Sequence, residues 1–400
     1  MANTPVTSQE LKAVAILSAG FGLVGIDRFL ISTMFPTIAR DLHLGYGDIG
    51  TITGALAIAW GLAALVMGNV SDRIGQRRVL VGSLIVFSLL IGLSGLAASL
   101  FGLVMVRIVM GFADGAFTPA SIAATINASP PERHGRNVGF QQNMLNLFGL
   151  ALAPLFVGYL LSHGVDWRYI FSIFAVPGLL IAWGTWRIIP QGDAPVTSEG
   201  SVADWGEVLK YRNIKLLMGG MFCWLTCLII SSAFLPNYLL DHLKLAPGAM
   251  GTVMSAIGFG ALTGTIVLSM LSDRIGRKPV MVIASIGAFI GLLLFGTIGQ
   301  NVGLLFACLF AIHFFNFGMI VLTVGPIATE TVPLGLITTA SGMVIAAGEL
   351  LGGGLAPIIG GQVAEKFGID HILWLPIIMM AGGILISFGL VETHHKKQLR

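Results

Sequence analysis

Five ionisable side chains lie inside long apolar stretches of this chain: Asp27, Arg28, Arg107, Asp114 and Glu349. Charge in hydrocarbon is costly, so such residues ordinarily mark a pathway or a binding site. Their types point to a specific chemistry. A carboxyl group in a partly desolvated cavity favours its protonated form, and a neighbouring Arg opposes that. The guanidinium fork holds an anionic group through two parallel hydrogen bonds. An anion that engages the Arg therefore frees the acid to take a proton, and the two become linked ligands of one equilibrium. Asp27, Asp114 and Glu349 are the candidate proton sites, and Arg28 and Arg107 the candidate anion contacts. The competing reading is a static ion-pair cluster that holds helices together.

Other polar residues in apolar runs are weaker candidates. His313 and Asn316 sit among Phe314, Phe315 and Phe317, and Tyr238 follows Asn237 near the end of another run. An unperturbed histidine titrates near neutrality and can carry a proton, although a lone one is more often structural. Gln142 and Asn146 belong to an amide cluster with Gln141 and Asn143. Four amides on one embedded helix need partners or water, so they line a cavity or bond between helices. Glu349 is flanked by Gly348, Gly352, Gly353 and Gly354, in a segment able to pack closely or bend. The cysteines, Cys223, Cys227 and Cys308, all fall in apolar runs and read as packing residues. No metal-ligand spacing, nucleophile motif or paired-His motif is present. The chain reads as a non-enzyme with no metal and no cofactor, the proton being its coupling ion.

The elements that must position these residues are membrane spans. Charged residues make up 10% of the 400 and hydrophobic residues 55%, against about 25% charged in soluble proteins. That composition excludes soluble domains, disorder and coiled coil, and a net charge of +3 is too small to mark a nucleic-acid partner. A spanning helix needs about 20 apolar residues. Twelve runs qualify: 13–35, 49–69, 79–99, 101–127, 138–162, 166–188, 214–238, 250–270, 279–299, 302–327, 337–361 and 371–391. The first reads as a span and not as a cleavable signal. At about 1.5 Å per residue, Asp27 and Arg28 lie roughly 10–12 Å from the outer face, Arg107 roughly 9 Å and Asp114 roughly 20 Å. Arg107 and Asp114, seven apart, share a helical face, so Arg107 can meet Asp27 at similar depth.

Loop charge sets the orientation. With both termini in the cytoplasm, 16 of the 22 Lys and Arg fall on the inner side and four on the outer side, with Arg28 and Arg107 inside spans. The chain also repeats itself. Seven of eleven positions match between the segments starting at Ser71 and Ser272, an offset of 201. Gly149, Leu152, Ala153, Pro154 and Gly158 recur as Gly352, Leu355, Ala356, Pro357 and Gly361, an offset of 203. The expected architecture is all-α, with twelve transmembrane helices in two pseudo-symmetric six-helix bundles, 1–189 and 214–400, joined by a polar cytoplasmic loop at 190–213. Repeats of this kind place the substrate between the halves near the midplane.

The repeated loop makes the resemblance specific. Gly68, Asp72, Arg73, Gly75, Arg77 and Arg78 resemble the signature loop of the major facilitator superfamily. Asp273, Arg274, Gly276 and Arg277 form a second copy, with Ser269 in place of the leading Gly. The resemblance implies a conformational loop that holds the halves in one state and releases them in another, and it implies a monomer. A narrower likeness concerns Asp27-Arg28 with Pro36, Arg107, Gly111, Asp114 and Pro119, and Trp167-Arg168 with Phe171 and Pro177. These are similar to the anion:cation symporter family, where the fourth-span acid is more often Glu; Glu349 stands outside the pattern that carries the likeness. That resemblance implies proton-coupled symport of a small organic anion, such as a sugar acid, across the cell (inner) membrane. In it the Asp of the first span and the acid of the fourth carry the proton, and Arg28 contacts substrate. A proton-driven exporter of drugs or metabolites, or a spinster-like lipid carrier, of the same fold is the alternative.

Overall fold

The computed structural model describes residues 7–191, 205–333 and 336–393, without the side chains of 64–74 and 338. In lipid every backbone amide must be satisfied internally, which leaves a helix as the solution for each apolar run. The helices are α1 (Ser8–Leu42), α2 (Tyr46–Ile74), α3 (Gln76–Ser94), α4 (Leu100–Asn127), α5 (Pro131–Ser162) and α6 (Trp167–Ile188) in the first half. The second half holds α7 (Arg212–His242), α8 (Pro247–Ile275), α9 (Arg277–Phe295), α10 (Val302–Thr331), α11 (Thr339–Phe367) and α12 (Ile369–Gly389). Among the described residues eleven of these are long and apolar enough to cross a membrane, and α2 is a further helix of 29 residues. The ends of α1 and α7 meet through Arg40 and Asp241 on the distal side, while the start of α7 bonds Val391 just past α12 on the opposite side, called here the terminal side.

Several helices run past the apolar stretches that announce them. The α1 helix begins where Thr7 Oγ1 accepts from the Glu10 amide at 3.1 Å and stops at His43, whose φ of 55° ends the hydrogen-bond ladder. Similarly, α4 starts on Ser99, whose side chain accepts from the Gly102 amide. The most buried helices are α1 and α7, each with 78% of its apolar window inside the protein. They therefore form the centre that the other helices surround.

The second sequence echo becomes a shared break in helical geometry. Residues Asn146–Leu152 of α5 and Gly348–Leu355 of α11 form π-helical turns, each just before a proline, Pro154 and Pro357. Proline lacks the amide that would continue the α pattern, and a widened turn absorbs the mismatch. Both helices pack across the interface between halves, α5 on α8 and α11 on α2. Close approach depends on glycine there. A Cβ on Gly50 would meet the Pro357 carbonyl oxygen at 2.2 Å, and one on Gly251 would meet that of Pro154 at 2.4 Å. Gly50 and Gly251 are 201 apart, so the two contacts are one contact repeated. Small residues that let helix backbones meet are a general basis of packing in lipid.

Candidate functional site

The five ionisable residues singled out by the sequence converge from α1, α4 and α11, with Asp27, Arg107 and Asp114 buried and Arg28 and Glu349 partly so. Arg107 is 1% exposed and donates from Nη1 to the Asp27 backbone carbonyl at 2.8 Å and to Asp27 Oδ1 at 3.4 Å, while Nη2 donates to Ser94 Oγ at 3.3 Å. Asp114 is fully buried and faces the Asp27 carboxyl. Among the described residues no nitrogen or hydroxyl donor reaches either oxygen of Asp114 or Asp27 Oδ2, and Arg107 Nε has no acceptor. The Asp27 and Asp114 carboxyls lie within hydrogen-bonding reach of each other, so a single proton shared between them satisfies an oxygen of each. Two carboxylates against one guanidinium leave the cluster one positive charge short of neutrality.

Arg28, adjacent in sequence to Asp27, points the other way. Its Nη1 and Nη2 donate to Glu349 Oε1 and Oε2 at 3.2 and 2.8 Å, a fork-on-fork pair that joins α1 of the first half to α11 of the second. The guanidinium also lies over the Trp60 ring, 4.5 Å from its centroid, and 5.7 Å from that of Phe29. Glu349 stands in the π-helical turn, at an offset of 203 from Asn146 in the matching turn of α5. Gly353 makes room for the pair, because a Cβ there would lie 2.8 Å from Glu349 Oε2. A narrow cavity lies against Arg28 and Gly353 between the halves. It is lined by Arg28, Arg107, Phe29, Leu56 and Ile229, with hydroxyls from Ser32, Thr53 and Ser232.

The halves close on each other toward the distal side. Arg40 donates to Asp241 Oδ1 at 3.0 Å, Tyr46 to Asp241 Oδ2 at 3.3 Å, and the Gly47 amide to Glu365 Oε2 at 3.1 Å. On the terminal side the same helices part. Gly342 shares the helical face of Glu349, seven residues away, and Gly139 shares that of Asn146; a Cβ at either meets nothing within 4 Å. Gln142, on that face of α5, is exposed. Asn146 is buried with Oδ1 unpartnered. The described structure thus has a cleft open toward the terminal side and ending at the Arg28 site.

The remaining candidates lie elsewhere. His313 is fully buried with both ring nitrogens unpartnered, and Asn316 donates to the Trp224 carbonyl at 3.1 Å, both inside the second half. Tyr238 packs at a tilt against His242 and Phe295 toward the distal end. Of the first loop signature, the side chains of Gly68, Asp72 and Arg73 lie outside the described residues; Arg78 is exposed and Arg77 sits over the Trp186 ring at 5.3 Å. Gly75 and Gly276 take φ of 94° and 102°, which only glycine adopts without strain. In the second copy Arg277 donates to Asp273 at 2.5 Å and to Glu330 at 2.8 Å, while Arg274 is exposed. These contacts stay within the second half. Sequence reasoning missed Trp60, Ser94 and the Arg40–Asp241 pair; the first two are ordinary residues of apolar runs and carried no local signal.

Comparison with known proteins places this architecture. The family model described as Major Facilitator Superfamily matches residues 17–245 and 216–400. The sialic acid transporter NanX of Escherichia coli (strain K12) is 27% identical over 387 residues, covering 94% of this chain and 93% of that protein. The 3-(3-hydroxy-phenyl)propionate transporter of the same organism is 27% identical over 299 residues, covering 71% and 70%. The crystal structure of a mutant of the nucleoside transporter NupG superposes with a TM-score of 0.80 at 15% identity, covering 96% of this chain and 98% of that one.

Proposed function

The chain belongs to the major facilitator superfamily, and from that premise we propose that it is a proton-coupled symporter of a small organic anion. It is a multi-pass membrane transporter, not an enzyme. In our reading it works as a monomer in the cell membrane with both termini in the cytoplasm, as the 16-to-4 loop charge split favours. The terminal cleft is then the inward-facing one.

One observation carries the reading: a guanidinium at the cavity between the halves, Arg28, stands next to a buried acid pair that lacks one positive charge. Arg28 takes the carboxylate of the substrate through its fork. Asp27 and Asp114 share the proton, because one proton between two carboxyls brings the Asp27–Arg107–Asp114 cluster to neutrality. Arg107 is committed to Asp27 and Ser94. It positions Asp27 and lends charge to the site, leaving Arg28 as the primary anion contact. Proton and anion together make a loaded site without net added charge, which lowers the cost of closing it in a low-dielectric interior. The halves then rock about the site and expose it to the other side. Two of the similar proteins carry organic acids by name, sialic acid and a phenylpropionate, which supports the same class here. A cationic drug would meet Arg28 at like charge, which weighs against export of lipophilic cations.

The test is a transport-current screen on proteoliposomes under a proton gradient, with sugar acids, phenylpropionates, dicarboxylates and lipophilic cations. Wild type is expected to respond to carboxylates and Arg28→Gln to lose that response by at least tenfold. Responses to the cations alone, or an unchanged carboxylate response in Arg28→Gln, overturn the reading.

A further inference from the structure

We propose that Glu349 is an internal competitor for the substrate: its carboxylate holds the fork of Arg28 in the unloaded transporter, and the substrate's carboxylate must displace it. The inference rests on the anion reading of Arg28 and adds what selects the anion. Three observations carry it. The Arg28–Glu349 pair uses both guanidinium nitrogens and both carboxylate oxygens, at 3.2 and 2.8 Å, the geometry a bound carboxylate would adopt. Arg28 borders the cavity between the halves, and the pair is largely shielded, with side-chain exposures of 9% and 13%. Finally, the pair spans the halves, and it is built where α11 widens into its π-helical turn, a geometry that lets the Glu349 backbone shift without breaking a regular ladder.

The consequence is a selectivity filter made of one exchange. Apart from Arg28, the neighbours recorded around this turn of α11 are apolar: α2 brings Ala57, Ile58 and Gly61 against it, and α7 brings Met221 and Leu225 against Gly348. An uncharged molecule offers Arg28 nothing in return for Glu349 and leaves a buried ion pair broken, which is strongly unfavourable. A carboxylate replaces Glu349 at the fork like for like, and the displaced Glu349 carboxylate, whose side chain is already 13% exposed, turns to water to keep its charge solvated.

The experiment is calorimetric binding of glucuronate, 3-phenylpropionate and sialic acid to the purified full-length protein, as wild type, Glu349→Gln, Glu349→Asp and Arg28→Gln. With the competitor's charge removed, Glu349→Gln is expected to bind the best probe at least about fivefold more tightly than wild type, and Glu349→Asp, with its shortened reach, to fall between. Should Glu349→Gln fail to fold, Glu349→Asp alone decides. Binding that depends on Arg28 but is unchanged or weaker in the Glu349 variants overturns the competitor while leaving the anion reading intact. Binding of no probe, or binding insensitive to Arg28→Gln, overturns the anion reading and the competitor with it.

Discussion

Placing a methyl group on Gly50 tests whether the distal contact is one side of a two-state equilibrium. In the described state the new Cβ would lie 2.2 Å from the Pro357 carbonyl oxygen and 2.9 Å from its carbon, where ordinary contact begins at 3.4 Å. Both atoms are backbone, so no side chain can swing aside. The two helices must separate by roughly 1 Å, and overpacking of that size costs about 1–3 kcal/mol. Only the distally closed state carries the cost, because the α2–α11 contact belongs to it. Gly50→Ala should therefore shift the equilibrium toward distal opening by a factor of roughly 5–150. Its pseudo-symmetric partner Gly251→Ala, at 2.4 Å from the Pro154 carbonyl, should do the same. Spin labels at His43 and Lys244, both exposed at the distal end on opposite halves, report the distance in a background without the native cysteines. The expected result is a second, longer distance population in both variants, with slowed transport. An unchanged distribution in both, with normal transport, would refute the claim that this close approach defines one functional state.

Two further outcomes follow from the buried cluster. Asp114→Asn should abolish proton-driven accumulation while leaving anion exchange, measured as counterflow in proteoliposomes; retained accumulation would place coupling elsewhere. Arg107→Gln should destabilise the protein by about 3–5 kcal/mol through the unpaired Asp27, read as a lower melting temperature in detergent, and a melting temperature equal to wild type would show that the pair is not buried as described.

The twelve spans were legible in the sequence because lipid offers an apolar run one way to satisfy its backbone. The duplication was legible too, since the two halves still share the glycines that positive φ requires, Gly75 and Gly276, and the prolines that shape the widened turns, Pro154 and Pro357. The five costly charges identified themselves by depth alone, and the meeting of Arg107 with Asp27 followed from helical spacing. What no local pattern carried was the partner of Glu349. Arg28 is 321 residues away, and the two meet only because α1 and α11 face each other across the interface between halves. Tertiary structure also decided that His313, Asn316 and Tyr238 lie apart from Arg28, since residue type and span assign a depth but not a neighbour. A single helix determines which of its faces is polar; which other helix that face meets is set by the packing of small residues over the whole bundle.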